Sequence, residues 1–137
     1  MDDAAVIPPF EGTLFETLGI RTRSLTPDRV VLEMDVGPHV HQPMGSLHGG
    51  ASAALAESGA SVGAFMSCDP AREYAVGVEL SISHLRSVRS GTVTATASPI
   101  RKGRTFHVWG IDLHDQEGKH VAVARCTLAI RPHEQQG

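Results

Sequence analysis

Apolar and polar residues repeat along the chain with two different periods, and each period predicts one kind of element. A spacing of three to four residues between apolar positions predicts a short amphipathic helix over residues 8–18, which Gly19 ends. A two-residue alternation predicts six strands, over residues 21–26, 30–36, 74–82, 93–97, 107–113 and 122–130. A second, longer helix is predicted over residues 49–67. The predicted order is therefore helix, two strands, long helix and four strands.

The long predicted helix is made almost entirely of alanine, glycine and serine. Small side chains allow a helix to approach a curved sheet closely, whereas a solvent-facing helix would carry lysine and glutamate. Short turns at residues 27–28, 90–91 and 115–118 join consecutive strands, which favours antiparallel pairing. The pattern predicts an α+β fold in which one main helix packs on one antiparallel sheet.

Length and composition indicate a single globular domain over residues 1–137, with a core from about residue 15 to residue 131. The chain has a mass of 14.6 kDa, 41% hydrophobic and 20% charged residues, which excludes a disordered or coiled-coil protein. No apolar run approaches the roughly 18 residues of a membrane span. The start at Met1, Asp2 and Asp3 is acidic where an export signal is basic, and two cysteines do not form a disulfide scaffold. We therefore expect a cytoplasmic protein with two buried thiols and a polar tail that frays from His133.

Basic residues are concentrated in one segment of an acidic chain. The net charge is −3, but residues 80–111 carry a charge of +5 and no acidic residue, so the rest of the chain carries −8. These cations are Arg86, Arg89, Arg101, Lys102 and Arg104. A local basic zone favours a phosphorylated small molecule over nucleic acid, which would require a broad basic face. The alternative is a solvated edge of strand residues.

Glu57 is the only formally charged residue between Gly49 and Cys68. An unpaired carboxylate in an apolar helix costs several kcal/mol if it is buried. Ser61 lies one turn further on and shares the same helix face, so both side chains can face one cavity. A carboxylate beside a hydroxyl suits a nucleophile or general base with a bound water. The alternative is that Glu57 faces solvent or pairs with an arginine.

The helix is preceded by His48 and begins with Gly49 and Gly50. Free backbone N–H groups and the positive end of the helix dipole can stabilise negative charge on a carbonyl oxygen. Glycine also permits close approach of a ligand to the backbone. The alternative is an ordinary glycine-rich loop that caps a helix.

Several motifs together resemble the hotdog-fold acyl-CoA thioesterases. They are residues 41–50 (HQPMGSLHGG), Glu57 with Ser61, residues 76–79 (VGVE), residues 84–87 (HLRS) and residues 103–109 (GRTFHVW). The most similar branch contains Arthrobacter-type 4-hydroxybenzoyl-CoA thioesterase, the 1,4-dihydroxy-2-naphthoyl-CoA thioesterases and the PaaI-like enzymes. The resemblance extends from about Phe15 to Ile130 and implies an antiparallel sheet wrapped around one central helix.

The resemblance also implies a role for individual residues. Glu57 would attack the thioester or activate water, and Ser61 would position the water or the intermediate. The Gly49 N–H would polarise the thioester carbonyl with the help of Gln42, and His48 would lie near the sulfur. CoA would contact Gly77, His84, Leu85, Arg86, Ser87, Arg101, Lys102, Gly103, Arg104, Thr105 and Phe106. Arg89 lies outside these blocks.

The expected substrate is an acyl-CoA with an aromatic or hydroxyaryl acyl group. Some members of the family act on acyl groups held on carrier proteins, so a carrier protein is a second expected partner. The resemblance implies a homo-oligomer, at least a dimer joined edge to edge and more commonly a tetramer. No metal is expected, because His39 and His41 have no third or fourth ligand nearby. No other cofactor, nucleic acid or membrane is expected either.

Two other functions remain open at this point. A hotdog-fold hydroxyacyl dehydratase would use a histidine with a helix acid, as His48 and Glu57 could, but the proline-rich stretch usual around that histidine is missing. A non-catalytic acyl-CoA-binding protein would be expected to lack the helix acid, which this chain retains.

Overall fold

The computed structural model describes residues 7–134. Its elements in chain order are α1 (Leu14–Leu18), β1 (Arg21–Thr26), β2 (Arg29–Asp35), α2 (Gly49–Met66), β3 (Glu73–His84), β4 (Thr92–Lys102), β5 (Phe106–His114) and β6 (His120–Pro132). A short 3-10 turn, Pro38–Val40, lies between β2 and α2. The order of helices and strands is the one that the periodicity predicts.

The six strands form one antiparallel sheet in the order β1-β2-β4-β5-β6-β3. β3 pairs with β6 along its whole length, from Glu73 opposite Pro132 to His84 opposite Ala122, with an irregularity between Gly77 and Glu79. β1 and β3 are the two edge strands. The prediction of an antiparallel sheet packed against one central helix, the hotdog arrangement, is confirmed.

Helix α2 packs on the concave face of the sheet through its small residues. Leu55, Ala56, Ala60 and Ala64 have no exposed surface. Trp109 on β5 is also fully buried, and a Cβ atom on Gly63 would lie only 2.3 Å from its ring. The alanine and glycine content therefore reflects close helix–sheet contact, as the composition predicts.

The first helix is shorter than predicted. It begins at Leu14, not near Pro8, because two prolines and a left-handed Gly12 (φ +75°) hold the preceding residues in a non-helical path. Phe10 nevertheless packs on Phe15 with ring centroids 4.4 Å apart. The helix-like apolar spacing thus arises from a folded-back segment that precedes a single helical turn.

The predicted fraying of the C-terminal tail is wrong for its first residue. The His133 N–H donates to the Arg72 carbonyl at 2.9 Å, and its ring lies 5.4 Å from that of Tyr74. Residues 135–137 of that tail, like the acidic residues 1–3, lie outside the described residues. Cys68 and Cys126 are free, buried thiols, as expected.

Candidate active site

Glu57 and Ser61 line one cavity of about 440 Å³ beside α2, together with Phe15, Gly50 and Leu80. Both polar side chains are half-buried and lie on the same helix face. The prediction that they share a cavity is confirmed, and their catalytic roles stay predictions. Within residues 7–134 no ion pair or hydrogen bond engages the Glu57 carboxylate, so the alternative of an arginine partner is not observed.

The Glu57 carboxylate lies over Gly77 on the edge strand β3. Its Oε2 atom would be 3.0 Å from a Cβ atom at Gly77, so a larger residue there would require the carboxylate to shift by a few tenths of an ångström. Cys126 lies nearby in the sheet and is fully buried. Burial, and secondarily the negative charge of Glu57, raises the pKa of the Cys126 thiol to about 12. Cys126 is therefore an uncharged core residue, and Glu57 remains the predicted reactive group of this cavity.

The N-terminus of α2 offers a backbone donor. His48 is the N-cap, and its Nδ1 atom accepts a 2.7 Å hydrogen bond from the Gly50 N–H. The N–H groups of Ala51 and Ser52 both donate to the His48 carbonyl. The Gly49 N–H has no acceptor within residues 7–134. The helix thus presents a free N–H at the position where the sequence predicts an oxyanion donor.

This helix terminus opens into a second cavity, of about 350 Å³. It is lined by Gln42, Ser46, Leu47, Gly49, Ser52, His84, Leu85, Arg86, Ser87 and Val121. Gln42 is held by its own loop, because its Nε2 donates to Ser46 Oγ at 2.9 Å and its Oε1 accepts from the Met44 N–H. The second N–H of the Gln42 amide remains available. His84 packs against Gly49, where a Cβ atom would be 2.9 Å from its ring.

Residues 101–106 lie at the other end of the sheet, where β4 ends, the chain turns and β5 begins. Phe106 pairs with Ala129 on β6, whereas His84 pairs with Ala122. Seven strand residues therefore separate the two predicted CoA-binding blocks, a distance of roughly 23 Å along the strand. One chain does not bring the two blocks together.

The basic zone is not a uniform set of free cations. Lys102 forms a 2.6 Å ion pair with Asp28 and lies 5.9 Å above the Trp109 ring. Arg89 donates to the Met44 carbonyl at 3.5 Å. Arg86 lines the cavity at the helix terminus, and Arg101 and Arg104 are exposed at the β4–β5 turn. Three of the five cations are thus placed to meet a ligand.

Glu57 and the Gly49 N–H are also separated within one chain. Eight residues along an α-helix span about 12 Å, which is more than a single thioester group can bridge. The carboxylate and the oxyanion donor therefore open into neighbouring cavities of the same protomer.

Sequence reasoning missed a third cavity, of about 280 Å³, between the N-terminal segment and the C-terminal half of α2. It is lined by Ile7, Pro8, Pro9, Phe10, Thr13, Phe15, Ser61, Val62, Phe65 and Ala75. In the sequence, the only sign of this cavity is the apolar spacing of residues 10–18, and that spacing predicts a helix face instead.

Residues 7–134 contain neither a metal-binding cluster nor a membrane-spanning helix. No group of three His, Cys, Asp or Glu side chains there has the geometry to hold a metal ion. The Nε2 atom of His41 instead lies 2.9 Å from the Arg89 carbonyl. None of the helices in this part of the chain is long and apolar enough to cross a membrane.

Comparison with known proteins finds a matching family, related proteins and a similar solved structure. The family model described as "Thioesterase superfamily" matches residues 44–122. The chain is 42% identical over 118 residues to 1,4-dihydroxy-2-naphthoyl-CoA hydrolase of Listeria monocytogenes, covering 86% of this chain and 95% of that protein. It is 39% identical over 119 residues to the proofreading thioesterase EntH of Cronobacter turicensis, covering 87% and 86% of the two chains. A crystal structure of a mutant of thioesterase PA1618 from Pseudomonas aeruginosa superposes with a TM-score of 0.88 at 38% identity, covering 93% of this chain and 97% of that one.

Proposed function

The chain belongs to the thioesterase superfamily and is a hotdog-fold thioesterase, and on that premise we propose that it hydrolyses an aromatic acyl-CoA to the free acid and CoA. The observation that carries the proposal is the Glu57 carboxylate, which has no ion-pair or hydrogen-bond partner within residues 7–134 and shares a cavity with Ser61. The name of the Listeria relative, a hydrolase of an aromatic CoA ester, supports the aromatic acyl group.

Glu57 performs the chemical step in this proposal. As a nucleophile, its carboxylate oxygen attacks the thioester carbonyl carbon, the carbon–sulfur bond breaks and CoA leaves as a thiolate. Water then hydrolyses the resulting anhydride and restores the carboxylate. As a general base, Glu57 takes a proton from a water held by Ser61, and that water attacks instead. A thiol leaves readily because its pKa is about 8.5.

The helix terminus stabilises the charge that develops on the carbonyl oxygen. Gly49 lines the cavity at the positive end of the helix, its N–H has no acceptor within residues 7–134, and in this proposal the second N–H of Gln42 assists it. One such donor contributes about 3–4 kcal/mol of transition-state stabilisation. Because Nδ1 of His48 accepts the Gly50 N–H, a neutral His48 carries its proton on Nε2 and can donate it to the leaving sulfur.

The 12 Å separation of Glu57 from Gly49 is resolved if two chains share each site. β3 is an edge strand, and Glu57 lies over it at Gly77. A two-fold axis between two β3 edges would pair them antiparallel, so that the His84 end of one strand lies beside the Glu73 end of the other. The same operation would carry the partner subunit's β4–β5 turn towards the helix terminus of the first chain.

This arrangement also completes the CoA site. Arg86 would meet CoA phosphates from one chain, and the partner subunit's Arg101 and Arg104 would meet them from the other. The two blocks that lie about 23 Å apart in a single chain would then flank one ligand. The proposed active form is therefore a dimer at minimum, and a tetramer is the expected assembly.

A hydrolysis panel tests the proposal. Benzoyl, 4-hydroxybenzoyl, phenylacetyl, dihydroxynaphthoyl and short and medium aliphatic CoA esters are compared by thiol release, with acyl-carrier-protein thioesters as a separate arm. Glu57→Ala should fold normally by circular dichroism and lose at least ~10³ in turnover. Glu117→Ala, an exposed acid in the β5–β6 turn, is the matched control and should retain full activity. A folded Glu57→Ala variant with most of its activity would contradict the mechanism.

A further inference from the structure

We infer that the N-terminal segment of this chain, residues 7–18, forms the wall of the acyl pocket, and that Phe10 and Phe65 select an uncharged acyl group with an apolar far end. The inference rests on the proposed function, since it concerns the acyl group of the same substrate. It assigns a role to residues that lie outside the catalytic motifs.

The cavity is lined by aromatic and aliphatic side chains. Phe10 and Phe15 pack against each other in the N-terminal segment, and Phe65 and Val62 line it from α2. With Ile7 and Ala75 these residues line a volume of about 280 Å³. That volume is suited to a ring or a short alkyl chain more than to the much larger CoA.

This cavity adjoins the one that contains Glu57. Phe15 and Ser61 line both, and Ser61 lies one helical turn from both Glu57 and Phe65. An acyl group whose carbonyl carbon is next to Glu57 can therefore extend past Ser61 towards Phe65. The helix places these three side chains in a row, so the distance from Glu57 to the end wall limits acyl length.

The segment is ordered by its own hydrogen bonds. The Thr13 hydroxyl donates to the Phe10 carbonyl at 2.5 Å, and the Ile20 N–H donates to the Phe15 carbonyl at 2.8 Å. The Thr13 hydroxyl proton is thus engaged within the segment. Phe10 is held against Phe15 by a turn, so it acts as a fixed wall.

The chemistry of the lining excludes charge. Among residues 7–134, none of those that line the cavity is charged, and the nearest catalytic group, Glu57, is itself anionic. A carboxylate at the far end of a dicarboxylyl group would lose its hydration without gaining a cation. An aryl or alkyl end would instead replace water against the phenylalanine rings.

Matched substrates test the selectivity. Hexanoyl-CoA and adipyl-CoA have the same number of acyl carbons, but adipyl-CoA ends in a carboxylate. We expect kcat/KM of the wild-type chain to be at least ~100-fold higher for hexanoyl-CoA, because the charged end must be desolvated without a partner. Equal values for the two substrates would overturn the inference. If hexanoyl, phenylacetyl and benzoyl CoA esters all remained unhydrolysed, the proposed function would fail and this inference with it.

Variants of Phe10 and Phe65 test whether these residues form the end of the acyl pocket. Phe65→Ala and Phe10→Ala should each raise the decanoyl-to-hexanoyl ratio of kcat/KM by ~10-fold or more, since removing a ring lengthens the pocket. Phe10→Lys should raise the adipyl-to-hexanoyl ratio by a similar factor by supplying the missing cation. Ile100→Ala, an exposed apolar residue on the outer face of the sheet, should change neither ratio. Active variants with unchanged ratios would overturn the assignment of the wall while leaving the thioesterase chemistry intact.

Discussion

His107 lies buried on β5 beside Trp109, whose indole N–H donates a 3.3 Å hydrogen bond to its Nδ1 atom. Burial lowers the pKa of His107 below its usual value of 6.5, and the nearby positive charge of Lys102 lowers it further. The folded protein therefore keeps this imidazole neutral, with Nδ1 as an acceptor for the indole.

A pH dependence of stability follows from that neutral imidazole. Below about pH 6.5 the unfolded chain binds a proton at His107 that the folded chain resists, so the free energy of unfolding falls as the pH decreases. The slope from one proton is at most about 1.4 kcal/mol per pH unit. Urea denaturation between pH 8 and pH 5 measures it. In His107→Gln, which keeps an acceptor for Trp109, the loss over this range should be smaller.

The Asp35 carboxylate provides an internal control at lower pH for the comparison of the wild type with His107→Gln. The Asp35 carboxylate accepts hydrogen bonds from Arg21 and Thr92, and the Arg21 hydrogen bond holds its pKa below 3.8. The stability that the Asp35 carboxylate contributes is lost as the pH falls below about 3.8, in the wild type and in His107→Gln alike. Both proteins should therefore show this acid-induced loss, whereas only the wild type should show the loss that begins below about pH 6.5. Identical slopes from pH 8 to pH 5 would show that His107 is not the group responsible.

The arginines of the β4–β5 turn provide a kinetic prediction. In the double variant Arg101→Ala/Arg104→Ala, KM for acyl-CoA should rise about 10-fold with less change in kcat, because charge-assisted bonds to phosphate are lost. A short pantetheine thioester lacks those phosphates and should be unaffected. Lys102→Ala is the comparison variant: it should raise KM for acyl-CoA less than the double variant does, since Lys102 already pairs with Asp28. Equal losses with both substrates would contradict the assignment.

At the scale of elements, two glycines of α2 face the sheet at different distances. A Cβ atom at Gly63 would lie 2.3 Å from the ring of Trp109, which is fully buried. At Gly59 the nearest atom is the Cβ of Ala97, at 3.3 Å. A side chain at Gly63 would therefore clash with Trp109, whereas a methyl group at Gly59 would only be tight against Ala97.

We expect Gly63→Ala to destabilise the fold by about 2 kcal/mol or more, because overpacking outweighs the gain of about 1 kcal/mol in helix propensity. Gly59→Ala should change the free energy of unfolding by less than about 1 kcal/mol, since the small clash and the propensity gain oppose each other. Chemical denaturation of both variants provides the comparison. Equal effects would mean that Trp109 moves aside.

At the scale of the whole molecule, β3 exposes apolar residues, and one of its edges pairs with no strand among residues 7–134. Tyr74, Val76 and Val78 are between 44% and 58% exposed, next to the strand position where Glu57 lies. An exposed apolar edge strand favours pairing with another chain. It is the surface through which the proposed shared site would form.

Light scattering at micromolar concentration should therefore show at least two 14.6 kDa chains per particle, and a tetramer is expected. Val78→Lys should shift the particle towards a single chain and reduce turnover with it, because the lysine opposes its symmetry mate. Ser24→Lys, on the opposite edge strand β1, should change neither property. A fully active single chain would refute the shared site.

The sequence by itself determined the order of elements, the antiparallel sheet packed on a small-residue helix, and the pairing of Glu57 with Ser61. These properties follow from periods of two and of three to four residues, which depend only on neighbours along the chain. The motif resemblance added the family, which the comparisons confirm.

Only the tertiary structure decided which functional groups meet. It separated His84–Ser87 from the β4–β5 turn, paired Lys102 with Asp28, and folded residues 7–13 over Ser61 and Phe65 in a non-helical path. These outcomes depend on strand register and on contacts between residues distant in sequence. Local periodicity has no information about such contacts, because a strand alternates in the same way whichever partner it has.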